Sequence, residues 1–137
     1  MKHPMAKHNE IGVIGEDIAV DFLRQKGYRV VSRNFRKPYG EIDIIAFGSD
    51  GVLRFIEVKS VSWETRRTPS GTVPHETPRP EENVHPNKIK RLIRVIESYL
   101  ISRETDSEWE FDVIAVFVNR ETKEAKVRHM KNVILGA

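Results

Sequence analysis

The chain has no cysteine, which excludes disulfides and thiolate metal sites and agrees with a reducing, cytoplasmic setting. It has no apolar run approaching the roughly 20 residues that a membrane-spanning helix needs. Met1-Lys2-His3-Pro4 leads into polar residues with no signal-peptide core, so a soluble protein with no membrane partner is expected. Neither a Gly-rich phosphate loop nor a dinucleotide fingerprint occurs, which leaves a nucleotide cofactor without support. The spacings of His75, His85 and His129 match no zinc motif, and His3 and His8 belong to an end expected to fray, so zinc is rejected. Proline is sparse outside one stretch: of seven prolines, Pro69, Pro74, Pro78, Pro80 and Pro86 fall close together.

What is present suits one compact domain. A chain of 137 residues with 39% hydrophobic content can build a single core. Asn9 can cap a helix running to Lys26, with Ile11, Ile14, Ile18, Ala19, Phe22 and Leu23 as its apolar stripe and Gly27 as its C′ residue. Gly12 and Gly15 inside that helix are expected to permit close packing. Tyr28 to Ser32 reads as a first strand, followed by strands around Gly40–Ile45 and Phe55–Lys59. The proline cluster predicts a mobile loop over 62–86, since proline opposes both helix and central strand. Asn87 to Ile101 reads as a second helix with Ile89, Leu92, Ile93, Ile96 and Leu100 inward. Glu108 to Val118 is a long apolar strand, and Ala125 to His129 a weaker edge strand. This order predicts an α/β fold with a mixed β-sheet flanked by helices.

The two middle strands carry charge where core strands carry apolar groups. Ile42, Ile44, Ile45, Ile56 and Val58 mark both as core strands, yet Glu41, Asp43, Glu57 and Lys59 interrupt them. Side chains alternate across a strand, so Glu41 is expected to share a face with Asp43, and Glu57 with Lys59. A hairpin closed around Gly48 to Gly51 would converge three carboxylates and one ammonium. Carboxylates that close repel unless a cation joins them, and a hard divalent ion, Mg²⁺ or Mn²⁺, matches oxygen ligands. For either strand alone, a solvated outer face with Glu57 and Lys59 as an ion pair is the competing reading. Glu16 can reach the site from the first helix as an extra ligand or a water-positioning group, or serve as a first-turn partner of the helix dipole.

The ordered series is specific. Gly15-Glu16, Gly27-Tyr28, Arg33-Asn34, Gly40-Glu41-Ile42-Asp43, Ile56-Glu57-Val58-Lys59, Lys88 and Phe111-Asp112-Val113 resemble the bacterial YraN-type family of predicted endonucleases. That family lies within the PD-(D/E)XK nuclease superfamily and is similar to archaeal Holliday junction resolvases. The resemblance implies a restriction-endonuclease-like core and a DNA endonuclease, with Asp43 and Glu57 binding Mg²⁺ or Mn²⁺ and the Val58 carbonyl as a third ligand. Lys59 would orient the attacking water or stabilise charge on the phosphorane, and Glu41 and Glu16 are auxiliary catalytic candidates. The resolvase likeness also points to branched DNA and a homodimer, neither of which is read from these residues themselves.

The formal charge of +3 and pI near 9.3 agree with a polyanionic partner. Arg66, Arg67, Lys88 and Arg91 are the expected phosphate contacts, with Arg79 beside them and Trp63 either stacking on a base or packing on the core. An ordinary solvated surface accounts equally for the charge distribution. The competing functional classes are a nucleic-acid-binding protein that keeps the nuclease fold without turnover, and a protein-interaction scaffold marked by a large exposed apolar patch.

Overall fold

The computed structural model describes residues 7–63, 86–133 and 135. Helix α1 spans Lys7–Gln25, strands β1 Arg29–Lys37, β2 Gly40–Phe47 and β3 Leu53–Trp63, helix α2 Pro86–Ser102, and strands β4 Trp109–Asn119 and β5 Ala125–Met130. The sheet runs in order β1-β2-β3-β4-β5. Only the β3–β4 pair is parallel, from Leu53↔Trp109 to Trp63↔Asn119, and the other pairs are antiparallel. The mixed α/β sheet flanked by helices that the sequence predicts is therefore the fold. The expected loop at 62–86 falls mostly outside the described residues, and Arg66, Arg67 and Arg79 lie there.

Alternation along the central strands places the two helices on opposite sheet faces. Ala19, Val20 and Leu23 of α1 pack with Ile44, Ala46, Ile56, Ile114, Val116 and Val118. Leu92, Val95, Ile96 and Tyr99 of α2 pack with Ile42, Ile45, Leu53, Phe55, Phe111 and Val113 on the other face. Strand β4 is covered on both sides, which explains its unbroken apolar run.

Several expectations shift. Helix α1 starts at Lys7, ahead of Asn9, so Asn9 is not its cap. The α1 stripe is rotated: Ile14 is exposed while Val20 is buried. In α2, Val95 and Tyr99 take the core positions, with Tyr99 edge-on to Phe35 and Phe55. Strand β1 continues past Ser32 to Lys37; an edge strand tolerates Arg33, Arg36 and Lys37 because its outer margin faces water. Gly27 does end α1, at φ 89°, where Tyr28 N–H returns to the Leu23 carbonyl at 2.9 Å.

Gly15 is the point where α1 touches β3. A Cβ there would overlap Ser60 Oγ and lie 2.8 Å from Ser60 Cβ, whereas a Cβ at Gly12 meets nothing within 4 Å, so only Gly15 has the packing role expected of both. Intrinsic helix propensity favours alanine over glycine by about 1 kcal/mol, but overpacking a tight contact costs about 1–3 kcal/mol. Gly15→Ala is therefore expected to lower stability in urea unfolding. In a Ser60→Gly background the same change is expected to be neutral or stabilising.

Candidate active site

Strands β2 and β3 pair from Phe47↔Leu53 to Ile44↔Ile56 and then part. At the fork the Val58 N–H, left without a β2 carbonyl, donates instead to Asp43 Oδ2 at 2.8 Å. Alternation fails at this level. Ile42 packs toward α2 and Ile44, two residues on, toward α1. The flanking strand turns with it: Asn34, between the pairs Arg33↔Ile44 and Phe35↔Ile42, has φ 54°, a left-handed conformation that asparagine tolerates better than most residues. Simple alternation therefore does not set where these two carboxylates point, although Glu41 and Asp43 line the same two clefts. The twist turns Asp43 toward β3 while Glu41 stays on the exposed rim.

The other carboxylates reach Asp43 from three elements. Glu16 comes from the middle of α1 with its side chain 15% exposed, well past the first turn, which removes the dipole-partner alternative. Its Oε1 accepts from Arg33 Nε and Asn34 Nδ2, both at 3.1 Å, which accounts for the Arg33-Asn34 pair of the motif series. Glu41 pairs with Arg36 at 3.0 Å. Glu57, 20% exposed, takes Lys88 Nζ at 2.7 Å, so its partner is a helix lysine and not the same-face Lys59. Lys59 is half-buried two residues beyond Glu57.

Asp43 opens to both sides of this layer. On the α1 side it lines a cleft of about 490 Å³ with Glu16, Arg33, Glu41 and Ser60. On the α2 side it lines one of about 260 Å³ with Glu41, Glu57, Lys88 and Arg91. Burial first, and then the negative charges of Glu57, Glu16 and Glu41, push the Asp43 carboxyl up to about 6, against the opposing Val58 hydrogen bond.

The donor set fits a hard divalent ion, because carboxylate and carbonyl oxygens are its preferred ligands. Among the described residues no three acidic or histidine side chains already stand together as a metal cluster. Arg33, Arg36 and Lys88 hold the neighbours of Asp43, and an ion would have to displace at least one of them. Of the expected phosphate contacts, Lys88 is bound to Glu57 and Arg91 is exposed at the α2-side cleft.

The raised carboxyl has a consequence for stability. A group whose pKa is higher folded than unfolded stabilises the fold while protonated. That contribution is complete below its ordinary 3.8 and is lost as pH rises through about 6. Asp43→Asn keeps an acceptor for Val58 without the charge. It is expected to leave stability unchanged at pH 3.5 and raise it at pH 8 by roughly 2–3 kcal/mol, at 1.36 kcal/mol per pKa unit. Urea unfolding at the two pH values measures the difference.

A second buried polar group lies in the Phe111-Asp112-Val113 element of the motif series, to which the sequence assigns no role. Asp112, fully buried in β4, shares a 2.7 Å hydrogen bond with His129 Nε2 and accepts the Asn132 N–H at 2.9 Å. This ties β5 and the segment after it to β4, giving both Asp112 and His129 a structural task. An aspartate inside the apolar run Phe111 to Val118 was the available signal.

Fold and site together define an α/β sandwich with a carboxylate, Asp43, at a strand fork whose clefts Glu16, Glu41 and Glu57 also line. The chain belongs to the uncharacterised protein family UPF0102, whose profile matches residues 15–116, and this is the family its motif series resembles. A UPF0102 protein of Flavobacterium psychrophilum is 37% identical over 128 residues, covering 93% of this chain and 96% of the relative. One from Alkaliphilus oremlandii is 39% identical, covering 91% and 97%, and one from Chlorobaculum parvum is 39% identical, covering 93% of each. Among solved structures, a repair endonuclease from Pyrococcus abyssi aligns with 87% of this chain and 39% of its own, at 13% identity and a TM-score of 0.35. No helix among the described residues is long and apolar enough to cross a membrane.

Proposed function

We propose that the chain is a divalent-metal-dependent endonuclease that hydrolyses DNA phosphodiester bonds. The observation that supports it most is the placing of Asp43 at the strand fork, open to clefts on both sides and faced by Glu57, Glu16 and Glu41. Carboxylates facing one another across a cleft suit a hard cation, whose preferred ligands are oxygens. Mg²⁺ or Mn²⁺ held there supplies Lewis-acid polarisation of the scissile phosphate and acidifies water. Asp43 and Glu57 would hold that ion, with the Val58 carbonyl beside them. The Lys59 ammonium would orient the attacking water or offset the charge that grows on the phosphorus oxygens as water adds and the bond to the leaving sugar oxygen breaks.

The resolvase resemblance suggests branched DNA as the substrate, and a homodimer would supply two such sites for two strands. Cleavage of linear, flapped and four-way DNA with Mg²⁺ or Mn²⁺ tests the activity and ranks the substrates. Absence of cleavage on every DNA form, with salt-sensitive binding retained, would favour a binding protein that keeps the fold without turnover. Arg91 is exposed on α2 at the cleft rim, and a phosphate contact there is part of this reading. Arg91→Ala is expected to weaken DNA binding across sequences and flatten the log–log salt dependence by about one unit, as measured by anisotropy from low to moderate salt.

A further inference from the structure

We propose that Lys88 is an exchangeable counter-cation for Glu57, occupying this carboxylate until a divalent ion displaces it, so that it sets the metal affinity of the site. This rests on the metal-dependent reading above.

Lys88 stands in the first turn of α2, a turn with no acidic residue. A helix N-terminus carries partial positive charge, so a lysine is electrostatically misplaced there unless something nearby offsets it. Glu57 does so at 2.7 Å, with side-chain exposures of 34% for Lys88 and 20% for Glu57. The pair is shielded enough to be worth more than a surface contact, and it faces the cleft that Asp43 lines.

The three cation partners around Asp43 are built differently. Glu16 is clamped by Arg33 and Asn34 together, and Arg33 is itself anchored on Asp17 at 2.7 Å. Arg36 and Glu41 meet on the rim, 72% and 51% exposed. Lys88 alone reaches a carboxylate from the far side of the chain, 31 residues on, through a single contact on a flexible four-carbon stem. The single ammonium bonds Glu57 and makes no ion pair with Asp43 among the described residues. A divalent ion between Asp43 and Glu57 carries charge for both, so the exchange gains electrostatically. Without metal, the lysine keeps Glu57 from standing bare beside Asp43.

Two effects of opposite sign follow for the full metal-free chain. Lys88→Met is expected to bind Mn²⁺ roughly tenfold more tightly than wild type in isothermal titration calorimetry, the scale of losing one partly shielded competing ion pair. It is also expected to melt at a lower temperature without metal and to regain more of that loss on Mn²⁺ addition. Lys88→Gln, which keeps a polar stem, is a second variant with the same expected signs. Lys90→Met removes an exposed charge from the same turn and is expected to stay within about twofold of wild type, separating displacement at Glu57 from a general loss of positive potential. If wild type binds Mn²⁺ and both Lys88 variants bind it equally or more weakly, the counter-cation role is wrong and the metal site stands. If neither wild type nor the Lys88 variants bind Mn²⁺ at millimolar concentration, the metal-dependent reading falls and this one with it.

Discussion

On the proposed metal-dependent endonuclease reading, substituting Asp43 by alanine is expected to lower single-turnover DNA cleavage by a factor on the order of a thousand, because polarisation by a bound metal would be worth several kcal/mol of barrier at 1.36 kcal/mol per tenfold. The fold should survive for a reason visible at the fork. At neutral pH the ionised carboxylate stands where burial and three neighbouring carboxylates disfavour it, so removing it relieves repulsion. The opposing cost is the Val58 N–H, which loses its acceptor and is left unsatisfied at about 1–3 kcal/mol. Asp43→Asn keeps the acceptor and should be the more stable of the two variants while cleaving no better than Asp43→Ala. Circular dichroism and rapid-quench assays with Mg²⁺ on the three proteins separate the effects. If Asp43→Asn cleaves at the wild-type rate, the site is misassigned.

What the sequence shows of this candidate site is charge written into two apolar strands together. Glu57 and Lys59 stood out because charge within Phe55 to Lys59 conflicts with a strand whose neighbours are buried. The hairpin was legible because Gly48 to Gly51 punctuates two apolar runs, and Gly51 does adopt φ 78°. The orientation of Asp43 was not legible, because it depends on a coordinated break of alternation at Asn34 and Asp43 in adjacent strands, and period-two patterning assumes an unbroken pleat. The Lys88–Glu57 pair was equally hidden, since it depends on where the first turn of α2 docks against the sheet. The phase of α2 itself was only partly right: Ile89 through Leu100 gives several overlapping stripes, and aromatic packing of Tyr99 against Phe35 and Phe55 selects among them. The sequence ends strand β1 early because a run of charge from Arg33 to Lys37 reads as loop until an edge position is known.

On the proposed role of Lys59, Lys59→Ala is expected to slow cleavage by about two orders of magnitude, the scale of losing one electrostatic catalytic group, while DNA affinity stays within a few-fold of wild type. The structure separates this lysine from Lys88. Among the described residues no carboxylate forms an ion pair with the Lys59 ammonium, and across the β3–β4 ladder its partner is the small Ala115. Truncating it therefore breaks no ion pair within the described fold, and its stability cost should stay below about 1 kcal/mol, as for substitutions that remove no buried partner. A purely structural lysine would show the reverse pattern, with stability lost and the chemical step spared. Lys59→Arg should rescue poorly, since a planar guanidinium cannot place its charge where an ammonium on a shorter head group does. The decisive measurement is the single-turnover rate at saturating enzyme with Mg²⁺, alongside urea unfolding of the same variants. A wild-type rate for Lys59→Ala would remove this residue from the proposed chemistry.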